Sequence, residues 1–445
     1  MGREAEGGGG TAAEANRWIF SPRDANVGFE AWPGLDELFP TSYQGVNPNR
    51  GLEGSVVDTN REALAERMRG YFSARSFSEV ERACPELAKP RARYDPAAVW
   101  RGLRAGSGFD EARVVSYLLF PLDLRWLYYE PTAKFLNEAR REFGDNVRDN
   151  EFLITVPQPR RVSETRPILA RTLVDLHVHD RGSVCFPRES SAGALMTARE
   201  ANLSAPALRA LSVAWGMTAD AEGARKLVGQ MFRCALAILH APRYQDDHQD
   251  ALAQDWAHLP VPKDRALFGR LAGVGEKIAI LLDPLADAGP ATEEILGQDR
   301  ARSLGALRRT DGAPVAAEHL AVTVTYYGPA RGDWRQRAYR EEEATAPAWG
   351  PSTGDLHINP EVYLSNVPEA VWRDELGGYP VIKKWLGYRH AGRAGGRPLT
   401  LPEARHLRSM VQRLAALLVL NEQMDALYEK TAADAFTAED LGLRS

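Results

Sequence analysis

The chain has 445 residues, 44% of them apolar and 26% charged, with a net charge of −5. That is enough apolar chain to bury a sizeable core, and this composition excludes a disordered, collagenous or coiled-coil protein. No run approaches the ~18 apolar residues of a membrane-spanning helix, and because dedicated nucleic-acid proteins are often basic overall, any basic surface here must be local.

Residues 1–16 carry acids and the run Gly7–Gly10 without an apolar stretch, which reads as a disordered tail and no secretory leader. Residues 17–57, rich in Trp, Phe, Pro and Gly, predict short strands and loops. Helical periodicity follows over Arg61–Phe72 and Asp95–Leu103. Gly106–Gly108 reads as a loop ahead of a helical Glu111–Tyr117, and Val114–Tyr129 is strongly apolar and aromatic. Glu151–Val156 and Leu173–His179 alternate and carry β-branched residues, as strands do. A helical block runs from Ser204 to about Asp283. In it Leu227, Met231, Cys234 and Ile238 share one face, and Leu267, Leu271, Val274, Ile278 and Leu281 share another.

Gly289–Glu294 reads as a loop. Strands are expected at Leu320–Tyr326, Asp355–Ile358 and Glu361–Leu364, with a polar exposed loop over Arg331–Thr353. Thr400 and Glu403 form a capping-box pattern that opens a closing helix over Pro402–Tyr428, with Leu407, Met410, Leu414, Leu417, Met424 and Leu427 on one side. The expected class is α+β: mixed strands in two blocks, an inserted helical block and a C-terminal helix. The expected divisions are a tail (1–16), a first α/β part (17–200), the helical block (201–290), a β-rich second part (291–396) and the closing helix (397–445).

Cys84, Cys185 and Cys234 are odd in number and far apart. They read as buried small hydrophobes in a reducing compartment, with neither a disulfide framework nor a cysteine zinc site. Charge is unevenly spread. Between Tyr379 and Leu414, Lys383, Lys384, Arg389, Arg393, Arg397, Arg405, Arg408 and Arg413 face one acid, Glu403, and a second cluster is Arg160, Arg161, Arg166 and Arg171. Such asymmetry reads either as a polyanion-facing side or as solvated surface.

Catalytic signatures are missing: no phosphate-binding Gly-x-x-x-x-Gly-Lys, no Gly-x-Ser-x-Gly, no His-Glu-x-x-His. The sharpest chemical hint is Asp175–Asp180, where His177 and His179 at i, i+2 on a strand point to one face. Several metal-dependent hydrolases hold their first ligands in this way. The alternative is a strand with two hydrogen-bonded histidines. Aromatic and basic residues interleave over Phe120–Tyr129 and Gly377–Arg389. That pattern suits either a nucleic-acid face or a core with snorkelling cations.

Taken in order, several stretches resemble the C-terminal target-recognition region of type ISP restriction–modification enzymes and related adenine-specific DNA methyltransferases. They are Arg17–Trp18, Leu35–Phe39, Gln44–Arg50, Phe120–Tyr129, Ala237–Tyr244, His258–Pro262 and Val371–Arg389, the last with Gly377–Gly378–Tyr379 and Lys384–Trp385–Leu386. The likeness spans residues 17–428. Phe120 stands where the family has Arg, and Gly51 where it has an acid. The family's methyltransferase part, with its S-adenosylmethionine loop and Asn-Pro-Pro-aromatic motif for a flipped adenine, has no counterpart: the Asn-Pro pairs here are Asn47–Pro48 and Asn359–Pro360, neither followed by Pro and an aromatic.

The resemblance implies a specificity module for double-stranded DNA in a cytoplasmic phage-defence system. It would direct adenine methylation, or cleavage, by a methyltransferase domain or subunit encoded separately, and S-adenosylmethionine would belong to that part. The chain is then either a subunit of a split system or the severed tail of a longer enzyme. No catalytic or metal-binding residue is expected. The expected DNA contacts are Gln44, Asn47, Asn49, Arg50, Arg125, Lys383, Lys384 and Arg389. The cations among them would take phosphates, and loops at Gln44–Asn49 and Arg331–Arg340 would reach bases. For Asp123 and Arg125 an internal ion pair stays open beside DNA contact. Two other readings remain: a metal-dependent hydrolase built on His177 and His179, and an inactive remnant of a restriction–modification enzyme.

Overall fold

The computed structural model describes residues 26–48, 54–106, 108–159, 161, 164–180, 182–191, 199–218, 220–324, 333–393 and 396–444. The first helices, α1 (Asn26–Ala31) and α2 (Leu35–Leu38), are short and bury Leu35 and Leu38, and Glu37 folds back to accept from the Gly34 N–H at 2.7 Å. Strands β1 (Tyr43–Gln44) and β2 (Val57–Asp58) follow. Helix α3 (Arg61–Ser73) starts where the Asn60 side chain accepts from Ala63 N, which satisfies one of the otherwise orphaned N–H groups of the first turn. Helix α4 (Pro96–Arg104) begins in the same way on Asp95, with proline at its first position, where no N–H is needed.

The segment after α4 departs from expectation. Glu111–Arg113 makes a single 3₁₀ turn, and the chain then extends as β3 (Val114–Phe120), turns at Leu122 (φ 61°) and returns as β4 (Asp123–Tyr128). The β-branched pair Val114–Val115 favours extended backbone, and the ladder to β4 supplies the bonds that a helix would have made internally.

Helix α5 (Arg141–Asn146), β5 (Phe152–Thr155), β6 (Ile168–Ala170), β7 (Leu173–Val174) and β8 (Val184–Pro187) complete two four-stranded sheets, of order β1-β8-β5-β6 and β2-β4-β3-β7. Strand β7 is much shorter than expected. Asp175 ends it by accepting from its neighbour His177 N at 2.7 Å while also accepting from the Tyr117 hydroxyl, a local side-chain turn that competes with the ladder. A small hairpin, β9 (Glu189–Ser191) with β10 (Arg199–Ala201), leads into the helices.

Helices α6 (Ala205–Trp215), α7 (Ala221–Leu239), α8 (Pro242–Leu252) and α9 (Arg265–Leu282) occupy the expected helical block, and the residues named on the two apolar faces are all buried. Each fully buried Leu, Ile or Met adds roughly 1.5–3 kcal/mol, which far exceeds helix propensity. Between α8 and α9 runs the short β11 (Val261–Pro262). The expected loop at Gly289 is helix α10 (Gly289–Leu296): Pro290 sits in its first turn, where it is tolerated, and the helix ends at Gly297 (φ 79°).

The second β block is an antiparallel sheet of order β12-β15-β14-β13, formed by β12 (Ala306–Arg309), β13 (Trp334–Arg337), β14 (Thr353–His357) and β15 (Val362–Pro368). Leu320 and Val322 are buried but lie in no strand; Val322 makes one isolated bridge to His390. The expected exposed loop instead supplies β13 and buries Trp349, whose Nε1 donates to Ala415 O at 3.0 Å.

Helix α11 (Glu369–Arg373), the hairpin of β16 (Glu375–Leu376) and β17 (Tyr379–Pro380), and α12 (Val381–Gly387) follow. The closing helix is two helices, α13 (Leu401–Val419), with the expected Thr400–Glu403 capping box, and α14 (Asn421–Ala433). From α13, the buried Arg413 donates to the carbonyls of Ile280, Leu281, Asp283 and Ala286 and so satisfies unpaired carbonyls at the buried C-terminal end of α9 and just beyond it. The last strand, β18 (Ala435–Phe436), pairs with β11. All three cysteines are buried, and among the described residues no helix is long and apolar enough to cross a membrane.

Candidate nucleic-acid interface

Residues 43–47 run between the two N-terminal sheets and are bonded to both. Tyr43 and Gln44 pair with Cys185 and Val184 of β8, and Gly45 N donates to Ser183 O. Val46 then crosses to the other sheet: its N–H donates to Val174 O at 2.8 Å, and its carbonyl accepts from Leu176 N at 2.8 Å. Asn47 exchanges both main-chain bonds with Glu138, each at 2.9 Å. The crossing is tight enough to require glycine at 45, because a Cβ there would lie 2.6 Å from Asp175 O. Gln44 is exposed and Asn47 half-buried on this backbone, so two of the expected contacts are amide side chains on a fixed frame. Asn49 and Arg50 lie outside the described residues.

Beside this segment stands the start of α5. Tyr43 stacks on Phe143, with centroids 6.1 Å apart and planes 12° apart. Arg140, at φ 52°, donates from Nη2 to Gln44 Oε1 at 2.6 Å and pairs with the Glu138 carboxylate. Arg141 donates to Pro131 O, Lys134 is exposed at φ 54°, and Arg199 donates to Arg148 O. Sequence reasoning missed Arg140 and Glu138. No local pattern marks them, because Arg140 lies 96 positions from Gln44.

The other expected cations are placed differently. Arg125 is 1% exposed and Arg389 9%, and both sit on Asp123. A guanidinium so buried and paired cannot reach a phosphate, so for these two the internal ion pair replaces the expected DNA contact. Burial works to raise the Asp123 pKa, but the two guanidiniums outweigh it and hold the carboxyl at about 2. Lys383 lies over the Trp372 ring at 4.8 Å. Lys384 lies over Tyr379 at 4.1 Å, Phe120 at 4.4 Å and Tyr388 at 5.5 Å, and burial lowers its pKa. These cation–π contacts clasp α12 to the β3–β4 hairpin and to β17.

The remaining basic clusters are also largely engaged within the chain. Arg161 donates to Gly378 O at 2.9 Å, and Arg166 to Asp374 at 2.9 Å, bracing the β16–β17 turn. Arg397 pairs with Glu403, and Arg408 donates to Leu304 O and Arg302 O. In the expected reading loop around β13, Arg335 sits on Asp333, and Arg337 on Glu343 and Asp355. The histidine pair does not share a face. Beyond β7 the chain turns, which leaves His177 exposed and His179 fully buried with Nε2 facing Arg166 O at 3.3 Å. Among the described residues no group of three potential ligands gathers.

The body is mixed α+β, its motif residues build an internal frame, and the amides of Gln44 and Asn47 sit on one edge of it. The chain belongs to the type ISP C-terminal specificity domain family, whose model matches residues 37–413. The fold is similar to that of the DrdV–DNA complex, with 16% identity, a TM-score of 0.56 and coverage of 93% of this chain and 39% of that one. It is also similar to the ATP-dependent type ISP restriction–modification enzyme LlaBIII bound to DNA, with 12% identity, a TM-score of 0.53 and coverage of 93% and 25%. A nuclease-deletion mutant of the type ISP enzyme LlaGI, in complex with a DNA substrate mimic, matches at 12% identity and a TM-score of 0.51, with coverage of 88% and 33%. The chain thus spans between a quarter and two-fifths of the length of these proteins. No curated protein matches it.

Proposed function

We propose that the chain is the DNA target-recognition module of a type ISP-like restriction–modification system. It binds double-stranded DNA and directs adenine methylation carried out by a methyltransferase domain or subunit that holds S-adenosylmethionine. The observation that carries this reading is the fit of residues 37–413 to a specificity domain. It is supported by three similar folds in DNA-bound proteins and by the amide edge at Gln44 and Asn47. Base readout needs donors and acceptors held in fixed positions, since each base pair shows a distinct pattern in the major groove. Phosphate contacts fall to exposed cations near that edge, such as Lys134 and Arg141, and to Arg50. The site of action is the cytoplasm, beside the DNA.

The test is selection of bound duplexes from a randomised pool by the purified chain, at two salt concentrations, followed by sequencing. Enrichment of one short motif, with affinity falling steeply in salt, is expected. Absence of binding at low salt by a folded chain overturns the reading.

A further inference from the structure

We propose that Gln44 reads a hydrogen-bond acceptor on a base edge, and that Arg140 is the positioning residue that makes it do so. The proposal rests on the DNA-binding reading above. A guanidinium donates and never accepts. The Gln44 atom that meets Arg140 Nη2 at 2.6 Å is therefore the amide oxygen, Oε1, and the orientation of this amide is fixed by its partner. The NH₂ is turned away from Arg140 at an exposed position, and among the described residues it has no partner.

The contact closes a ring. Glu138 pairs its carboxylate with Arg140 and its main chain with Asn47, and Asn47 returns through Val46 and Gly45 to Gln44. Arg140 is itself held in the left-handed region at φ 52°, where it precedes the first turn of α5. A partly exposed contact of this kind contributes little to folding, so its consequence is orientation. Glu138 offsets the charge of Arg140, which makes the pair a poor phosphate contact and a suitable holder of an amide.

Chemistry then limits what is read. A freely turning glutamine pairs with adenine through both its oxygen and its NH₂. Arg140 engages one lone pair of the oxygen and, by holding that end of the amide toward itself, leaves the NH₂ as the outward end, so the side chain presents its donors first. It favours an acceptor-only edge, either guanine N7 and O6 or thymine O4, and it disfavours the amino groups of cytosine and adenine.

The experiment is the same selection from a randomised duplex pool, run on the full chain and on Q44E, R140A and R140K. Wild type is expected to enrich guanine or thymine at one position of its site. Q44E keeps a partner for Arg140 but turns an acceptor outward, so preference at that position should move to cytosine or adenine by roughly tenfold. R140A should blur preference at that position alone, with the salt dependence and melting temperature unchanged, and R140K should restore part of it. A Q44E motif identical to wild type overturns the proposal while leaving the DNA reading intact. So does an R140A variant that loses affinity equally for all sequences with a salt slope reduced by about one, the mark of a phosphate contact. Failure of wild type to bind DNA overturns both.

Discussion

Asp123 and Arg389 stand 266 positions apart in sequence and meet in the interior, where the carboxylate Oδ1 accepts from Nη2 at 2.9 Å. The other oxygen, Oδ2, accepts from Arg125 at 3.1 Å, so one carboxylate holds two buried guanidiniums and ties α12 and its flank to the β3–β4 hairpin.

Removing that carboxylate strips both buried guanidiniums of their shared anion, and Glu403, 3.6 Å from Arg389 Nε, offsets only part of the charge left in a low-dielectric interior. D123N is predicted to lose about 3–5 kcal/mol of stability, measured by urea unfolding. Replacing the whole cluster, as D123L/R125M/R389M, is predicted to recover much of the loss, because apolar substitutes avoid the desolvation that the ions incur. A D123N chain as stable as wild type would refute the buried-cluster account.

Stability is predicted to fall on the acid side in two windows. Burial holds His179 at about 4 and His240 at about 3, well below the ordinary 6.5. The unfolded chain therefore takes up protons first, and stability present above pH 6.5 is lost as pH falls toward 4 and 3. Asp123, held at about 2 against an ordinary 3.8, adds a further loss between about pH 4 and 2. H240Q keeps a donor for Pro167 O, which His240 Nε2 meets at 2.8 Å, without titrating. It should flatten the dependence of stability on pH between 6 and 4 by up to about 1.4 kcal/mol per pH unit. Urea midpoints at several pH values decide it.

G45A is predicted to cost about 1–3 kcal/mol, because its Cβ meets main-chain atoms of Asp175 and Leu176 at 2.6–2.7 Å and the backbone has to move. Since Gln44 and Asn47 move with it, DNA affinity should fall further than that of a control variant of equal stability. Paired melting and binding measurements on the two variants separate these effects.

K384M keeps a long side chain and removes the charge held between Phe120, Tyr379 and Tyr388. The expected outcome is a stability loss of about 1–2 kcal/mol with an unchanged salt slope of DNA binding. A slope lower by about one, with stability unaltered, would instead make Lys384 a phosphate contact.

Much of the frame was legible along the chain. Helices with long amphipathic faces, such as α7 and α9, and the Thr400–Glu403 cap stand where periodicity and local chemistry put them. Errors arose where a neighbour decides the outcome. Val114–Tyr117 is extended because β4 pairs with it, and Leu173–His179 breaks because the Asp175 side chain makes a turn. Burial of Arg125 and Arg389 is invisible to a charge count, since an exposed arginine and a paired interior one are the same letter. The Gln44–Arg140 contact joins segments whose proximity only the folded sheets create.

The stitched segment at residues 43–47 also constrains how such a protein diversifies. Because its main chain is bonded to β8 on one side and to the end of β7 on the other, inserting or deleting one residue there would turn alternate side chains to the opposite face and break both seams. Heritable change at this edge is therefore confined to exchanging side chains in place. On the proposed reading of this edge, a lineage would acquire a new target by altering one chemical group at a time on an inherited backbone, in discrete steps and without a change in length.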